Sequence, residues 1–169
     1  MATGWHPLLA TAEPEAAKLL RKAITVEPRL TRVGVGVLNE RYKTQSQIER
    51  EVEEEQEALR ASLAAIAACA DWLQLQRWLN TFTLQTSYRR KYDVEIWFQI
   101  RSAPITVSNG AVIAAALGLG VEGKLLGEGP NMLFKLAEGP PNITVWERER
   151  LASMSKPHAG VLDGAPAAR

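Results

Sequence analysis

The stretch Ser108-Asn109-Gly110-Ala111-Val112-Ile113-Ala114-Ala115-Ala116-Leu117-Gly118-Leu119-Gly120 decides the fold. Ser108-Asn109-Gly110 supplies N-cap chemistry for the run that follows, and Gly120 suits a left-handed C-cap. Between them, Ala111–Leu119 is helix-forming and apolar nearly all round. A helix without a polar face belongs in the middle of a core, so the remaining elements must wrap around it.

Downstream, Val121 to Leu136 reads as a hairpin, because two short apolar runs flank the turn cluster Gly127-Glu128-Gly129-Pro130-Asn131. Ile143, Val145 and Trp146 suggest one more strand, and the Ser-, Pro-, Gly- and Ala-rich end after Ser153 reads as a flexible tail. Upstream, Tyr88–Phe98 predicts a helix with Tyr88, Tyr92 and Ile96 on one side, stopped by Ser102-Ala103-Pro104. This order of helix, turn, helix and hairpin resembles a winged helix-turn-helix. One feature departs from the usual version: Ala111–Leu119 has no polar side chain to offer base edges.

Further upstream, Ser46-Gln47-Ile48-Glu49 matches a capping box, and no Pro or Gly follows before about Leu79. Ile48, Val52, Leu59, Leu63, Ile66, Ala70 and Leu73 recur at helical spacing. The pattern predicts one long amphipathic helix of about 32 residues, ~48 Å from end to end. Its first half is acidic, with a balance of −3 over Glu40–Arg60, and its second half, Leu63–Leu79, is apolar and must be buried against something. Near the N-terminus, Glu13-Pro14-Glu15 starts a helix that Pro28 ends, and Val33, Val35 and Val37 alternate as a short strand would. The expected fold is mainly α with a small β-hairpin. An N-terminal helical arm and long helix fill 1–80, a compact helix-turn-helix-like module fills 81–150, and 151–169 form the tail.

Composition removes several functions. The chain has 169 residues and a formal net charge of +1, which excludes a strongly basic nucleic-acid coat and a polyacidic chain. Its single cysteine forms no intramolecular disulfide, and two histidines with one cysteine are too few for an ordinary zinc site. Cys69 lies in an Ala-rich run that reads as buried, while His6 and His158 sit near the ends, so no nucleophile–base pair is evident. Gly34-Val35-Gly36 and Gly118-Leu119-Gly120 are incomplete phosphate loops. Neither catalysis nor a cofactor is expected. The most apolar windows, Ala61–Ala70 and Ala111–Leu119, are roughly half of the ~20 residues a bilayer requires, so no membrane association is expected and the default location is the cytoplasm.

Surface chemistry is what remains. Arg89-Arg90-Lys91 stands beside Tyr88 and Tyr92, and with Arg101 it leaves Thr81–Arg101 at +2 against Asp93 and Glu95. Basic and aromatic side chains at a helix start can grip a phosphate backbone. A second basic area, Lys18, Arg21, Lys22, Arg29, Arg32, Arg41 and Lys43 against Glu15, Glu27 and Glu40, carries +4 over residues 15–43. The leading expectation is therefore a non-enzymatic nucleic-acid-binding protein. Its contacts would be mostly to phosphates, made by Tyr88, Arg89, Arg90, Lys91, Arg101 and Lys124 of the hairpin. The competing expectation is a protein-interaction module that docks or self-associates through Leu63, Ile66, Trp72, Leu73 and Trp78 of the long helix.

Part of the chain also resembles a known type. Thr86-Ser87-Tyr88, Lys91, Glu95, the run Val107 to Ala116, Gly118 to Gly120, and Pro130-Asn131 with Phe134 are similar to a small domain. That domain is found in uncharacterised bacterial, phage and plasmid-borne proteins. Its pattern is roughly Ser-Tyr-x-x-Lys-His, then Ser-Asn-Gly-x-x-Ile-Ala-Ala-Ala, then Pro-Asn. The likeness spans residues 85–137, with Tyr92 in place of the His. It implies a mobile-element setting and carries no established activity.

Overall fold

The computed structural model describes Trp5, His6 and residues 8–139. The strand expected around Ile143 and the tail after residue 150 lie outside the described residues. Within them the fold is mainly helical with two small antiparallel hairpins.

Helix α1 (Glu13–Val26) begins with Pro14 in its first turn and two acidic residues at its positive end, and it gives way at Glu27, just before Pro28. The next residues form a very tight hairpin, β1 (Leu30–Thr31) with β2 (Gly34–Val35), paired Leu30 to Val35 and Thr31 to Gly34. Thr44 then caps helix α2 (Gln45–Arg60) through a reciprocal capping box with Gln47. The box therefore sits two residues before the expected Ser46–Glu49 pair.

The single long helix is two helices. After α2 the chain turns at Ala61-Ser62 and resumes as α3 (Leu63–Gln74). Neither Gly nor Pro stands at the break. The Ser62 hydroxyl donates to the Ala58 carbonyl at 2.8 Å, a back-bond that competes with the helical ladder and bends it. The two halves also serve different faces. Polar α2 lies against β1, with Arg32 N–H donating to Glu55 O at 3.1 Å, whereas α3 is buried against α1 and α5.

Helix α4 (Ser87–Ile100) is capped by Thr86, and helix α5 (Asn109–Leu119) runs from a Ser108 cap to Gly120 in the left-handed region. Every residue of α5 from Asn109 to Gly118 is buried. Helices α1, α3 and α4 surround it. At Gly118 a Cβ would come within 2.5 Å of the Leu19 carbonyl, so α1 crosses where α5 has no side chain. One continuous apolar cluster runs from Ala16 of α1 to Leu136. The boundary expected at residue 80 thus passes through a shared core. Helix α5 exposes no face that could enter a DNA groove, and the 101–108 link is longer than the turn of a helix-turn-helix.

The last element is the hairpin β3 (Gly123–Leu125) with β4 (Met132–Phe134), as the turn cluster predicts. The 77–86 loop lies along the other side of β4, with bridges Trp78–Leu136 and Thr86–Leu133. Among the described residues no helix is long and apolar enough to cross a membrane.

Candidate functional site

Helix α5 is covered along its length, so chemistry can reach it only at an end. At its N-terminus three chain segments meet. Gly110 N–H donates to Arg32 O at 2.9 Å, and a Cβ on Gly110 would lie 1.9 Å from the Thr31 carbonyl, so no larger residue permits this approach. Val35 N–H donates to Pro130 O at 3.0 Å, which draws the 126–131 loop onto the first hairpin. Asn109 ties the three together. Its Nδ2 donates to Val33 O (2.9 Å), Pro130 O (3.3 Å) and Asn131 Oδ1 (3.0 Å). Three surrounding oxygens fix the orientation of this amide, and the buried Oδ1 accepts no hydrogen bond.

A cleft of about 620 Å³ opens over this junction. Tyr88 and Lys91 of α4, Arg32 and Val33 of the first turn, Ser108, Asn109, Pro130 and Asn131 all line it, and among the described residues no carboxylate does. The Ser-Tyr-x-x-Lys, Ser-Asn-Gly and Pro-Asn segments therefore converge on one place, although 41 residues of sequence lie between Tyr88 and Pro130. Ser87 contributes from below, its Oγ accepting Met132 N–H at 3.0 Å and fixing the hairpin to α4. The other principal clefts mix charges: Asp71 and Glu15 line one with Arg101, and Glu40 and Glu128 line another with Arg29 and Arg41.

On the rim, Tyr88 and Tyr92 meet edge to face with centroids 5.5 Å apart, and their hydroxyls share a 3.0 Å hydrogen bond. That bond is the main influence raising the Tyr88 phenol above its ordinary value. Lys91 lies over both rings, 4.2 Å from the Tyr92 centroid and 5.1 Å from that of Tyr88. It makes no i,i+4 pair with Glu95, whose Oε1 instead accepts Val107 N–H at 3.0 Å. Arg32 is exposed, and its guanidinium engages both oxygens of Glu55 at 2.9 and 3.1 Å.

Several residues expected to act together are apart. Arg90 is fully buried: it donates to Ala137 O (3.0 Å), Thr83 Oγ1 (3.0 Å) and Leu136 O (3.2 Å), so it clamps the end of β4 and meets no phosphate. Burial lowers its pKa to about 10, and the guanidinium stays charged at neutral pH. Its position follows from spacing, since Ser87, Arg90, Val94 and Phe98 form the inner stripe of α4. Burial raises the pKa of the neighbouring Asp93, whose carboxylate accepts the Gln85 amide.

Arg89 is exposed on α4 near Asp93 and outside the cleft lining, whereas Arg101 stacks on Trp97 at 3.2 Å in a different cleft. Thirteen residues of helix place it ~20 Å from Tyr88. Lys124 is exposed on β3, its Nζ 4.6 Å from the Phe82 centroid and outside the cleft lining. Of the apolar set, Ile66, Trp72 and Leu73 have no exposed surface and Leu63 is half-buried; α1 and α5 already cover them. Trp78 alone of the five is about half exposed. In the sequence Asn131 figured as a turn residue, Asn109 as a cap and both in the resemblance pattern, but neither as a functional residue.

Comparison with known proteins finds no matching family model, no matching curated protein and no matching solved structure.

Proposed function

We propose that the protein binds nucleic acid without catalysing a reaction, using the cleft over the α5 N-terminus and the adjoining face of α4. The observation that carries this reading is the lining of the cleft. Its described lining combines Lys91, a tyrosine and polar amides with no carboxylate, and Arg32, whose guanidinium is shared with Glu55, adds a second cation at the edge. Phosphates are met by such cations, and bases by aromatic faces and amide edges. The interface is Tyr88, Arg89, Lys91 and Arg32. Arg90 and Arg101 drop out because one is buried in the fold and the other lies at the far end of α4.

Fluorescence anisotropy on the full chain, with labelled oligonucleotides at two salt concentrations, tests the proposal. About three phosphate contacts predict an affinity roughly 20- to 40-fold weaker at about 200 mM than at about 50 mM salt. Lys91→Ala lowers affinity at both. No binding at low salt removes the reading.

A further inference from the structure

Resting on that reading, we infer that the ligand is single-stranded, with one unstacked base seated in the cleft between Tyr88 and the side-chain amide of Asn131. A duplex presents its phosphates on a convex surface, with the bases stacked inside. A cleft of about 620 Å³ is concave and of a size that encloses one nucleotide unit, not the edge of a double helix. Helix α5, which lies beneath it, has no free face for a groove.

The side chains suit that occupant. Tyr88 is about half exposed at the rim, held edge-on to Tyr92, and its ring is the stacking surface a splayed base requires. Lys91, lying over the tyrosine rings, places a cation beside that surface for the phosphate of the same nucleotide. Asn131 supplies the base-edge contact. Its Oδ1 is occupied by Asn109 Nδ2, so the amide cannot rotate freely, and its own Nδ2 makes no hydrogen bond to any described residue. Asn131 is therefore a fixed donor on the cleft wall, suited to a base acceptor such as a carbonyl or ring nitrogen. Asn109 is a positioning residue that acts through Asn131. The cost of leaving its own Oδ1 buried without a donor is tolerated because the Nδ2 sets three loops and this donor at once.

The test uses the full chain with a labelled single-stranded DNA of about twelve nucleotides and with the same sequence as a duplex. The single strand is expected to bind at least ~10-fold more tightly. Tyr88→Ala should weaken single-strand binding about 5- to 150-fold, a larger loss than it causes in duplex binding, whereas Tyr88→Phe keeps the ring and the affinity. Asn131→Asp, which replaces the donor by an acceptor, should alter the ranking of homopolymeric strands. Tyr88 is exposed, so circular dichroism melts of the two Tyr88 variants should match the wild type. Equal or tighter duplex binding, or an unaffected Tyr88→Ala variant, overturns the single-strand inference while the nucleic-acid reading stands. Failure of the wild type to bind either form overturns the reading itself.

Discussion

Gly110→Ala sets two physical effects against each other. In an isolated helix, alanine is favoured over glycine by about 1 kcal/mol, so local propensity predicts a stabilised protein. The structure predicts the reverse. A Cβ at this position falls 1.9 Å from the Thr31 carbonyl oxygen and 2.9 Å from both the Arg32 Cα and the Arg32 carbonyl oxygen. A relaxed carbon–oxygen contact is about 3.3 Å or more, so the hairpin turn must retreat by more than ~1 Å. All the obstructing atoms belong to backbone except for what their displacement drags along, and no rotamer change relieves them. Retreat stretches the Gly110–Arg32 bond of 2.9 Å and the Asn109–Val33 bond of 2.9 Å. Overpacking costs about 1–3 kcal/mol, and two weakened hydrogen bonds cost about 1 kcal/mol each. Less the propensity gain, the variant should be about 2–4 kcal/mol less stable. Urea unfolding followed by tryptophan fluorescence measures this, since Trp72 is fully buried. A variant as stable as the wild type, or more so, would refute the close junction on which the cleft is built.

Arg90→Ala should cost about 3–5 kcal/mol in the same assay, because two carbonyls and the Thr83 hydroxyl lose their donor, while Arg89→Ala one residue earlier should stay within about 0.5 kcal/mol. If both variants behave alike, the inner and outer faces of α4 are misassigned. Asp71 accepts from Ala10 N–H (2.8 Å), Thr11 N–H (2.9 Å) and the Thr11 hydroxyl (2.5 Å). Asp71→Ala should release that segment, seen as faster amide hydrogen exchange at residues 8–12 with little change in α5. Glu40 has its pKa lowered from the ordinary value of 4.5, chiefly by the Val37 N–H it accepts at 3.0 Å and then by Arg29. Its ionised form is the one the fold favours, so the stability it adds is present above pH 4.5 and is lost as pH falls through the lowered native value. Glu40→Gln should flatten thermal stability against pH in that acid range, and identical slopes would exclude the role.

The elements that local chemistry alone specifies were legible in the sequence. The Ser108 cap, the Gly120 stop, the 126–131 turn and the acidic Pro14 start all concern residues a few positions apart. The break at Ala61-Ser62 was not, because the apolar spacing continues through it without Gly or Pro. Periodicity records which residues are apolar and not which neighbour covers them. Polar α2 and apolar α3 pack against different partners, and that difference splits the helix. The capping box was ambiguous for a related reason: Thr44-x-x-Gln47 and Ser46-x-x-Glu49 satisfy the same local rule. Arg90 could have been separated from Arg89 and Lys91, since its spacing to Val94 and Phe98 places it on the inner stripe.

The cleft belongs to a different kind of information. Each residue lining it has a sufficient local explanation: Ser108 as a cap, Pro130-Asn131 as turn residues, Tyr88 and Lys91 as the outer surface of a helix. None of these explanations brings the three segments together. What does so is the apolar character of α5. A helix buried on every side has to be enclosed by the chain, and its N-terminus, with the glycine that admits the β1–β2 turn, becomes the point where the enclosing loops close. Polar groups on those loops must either pair with one another or face the opening. Asn109 does the first and holds Asn131 to the second, so the requirement that hides the core also arranges the donors above it.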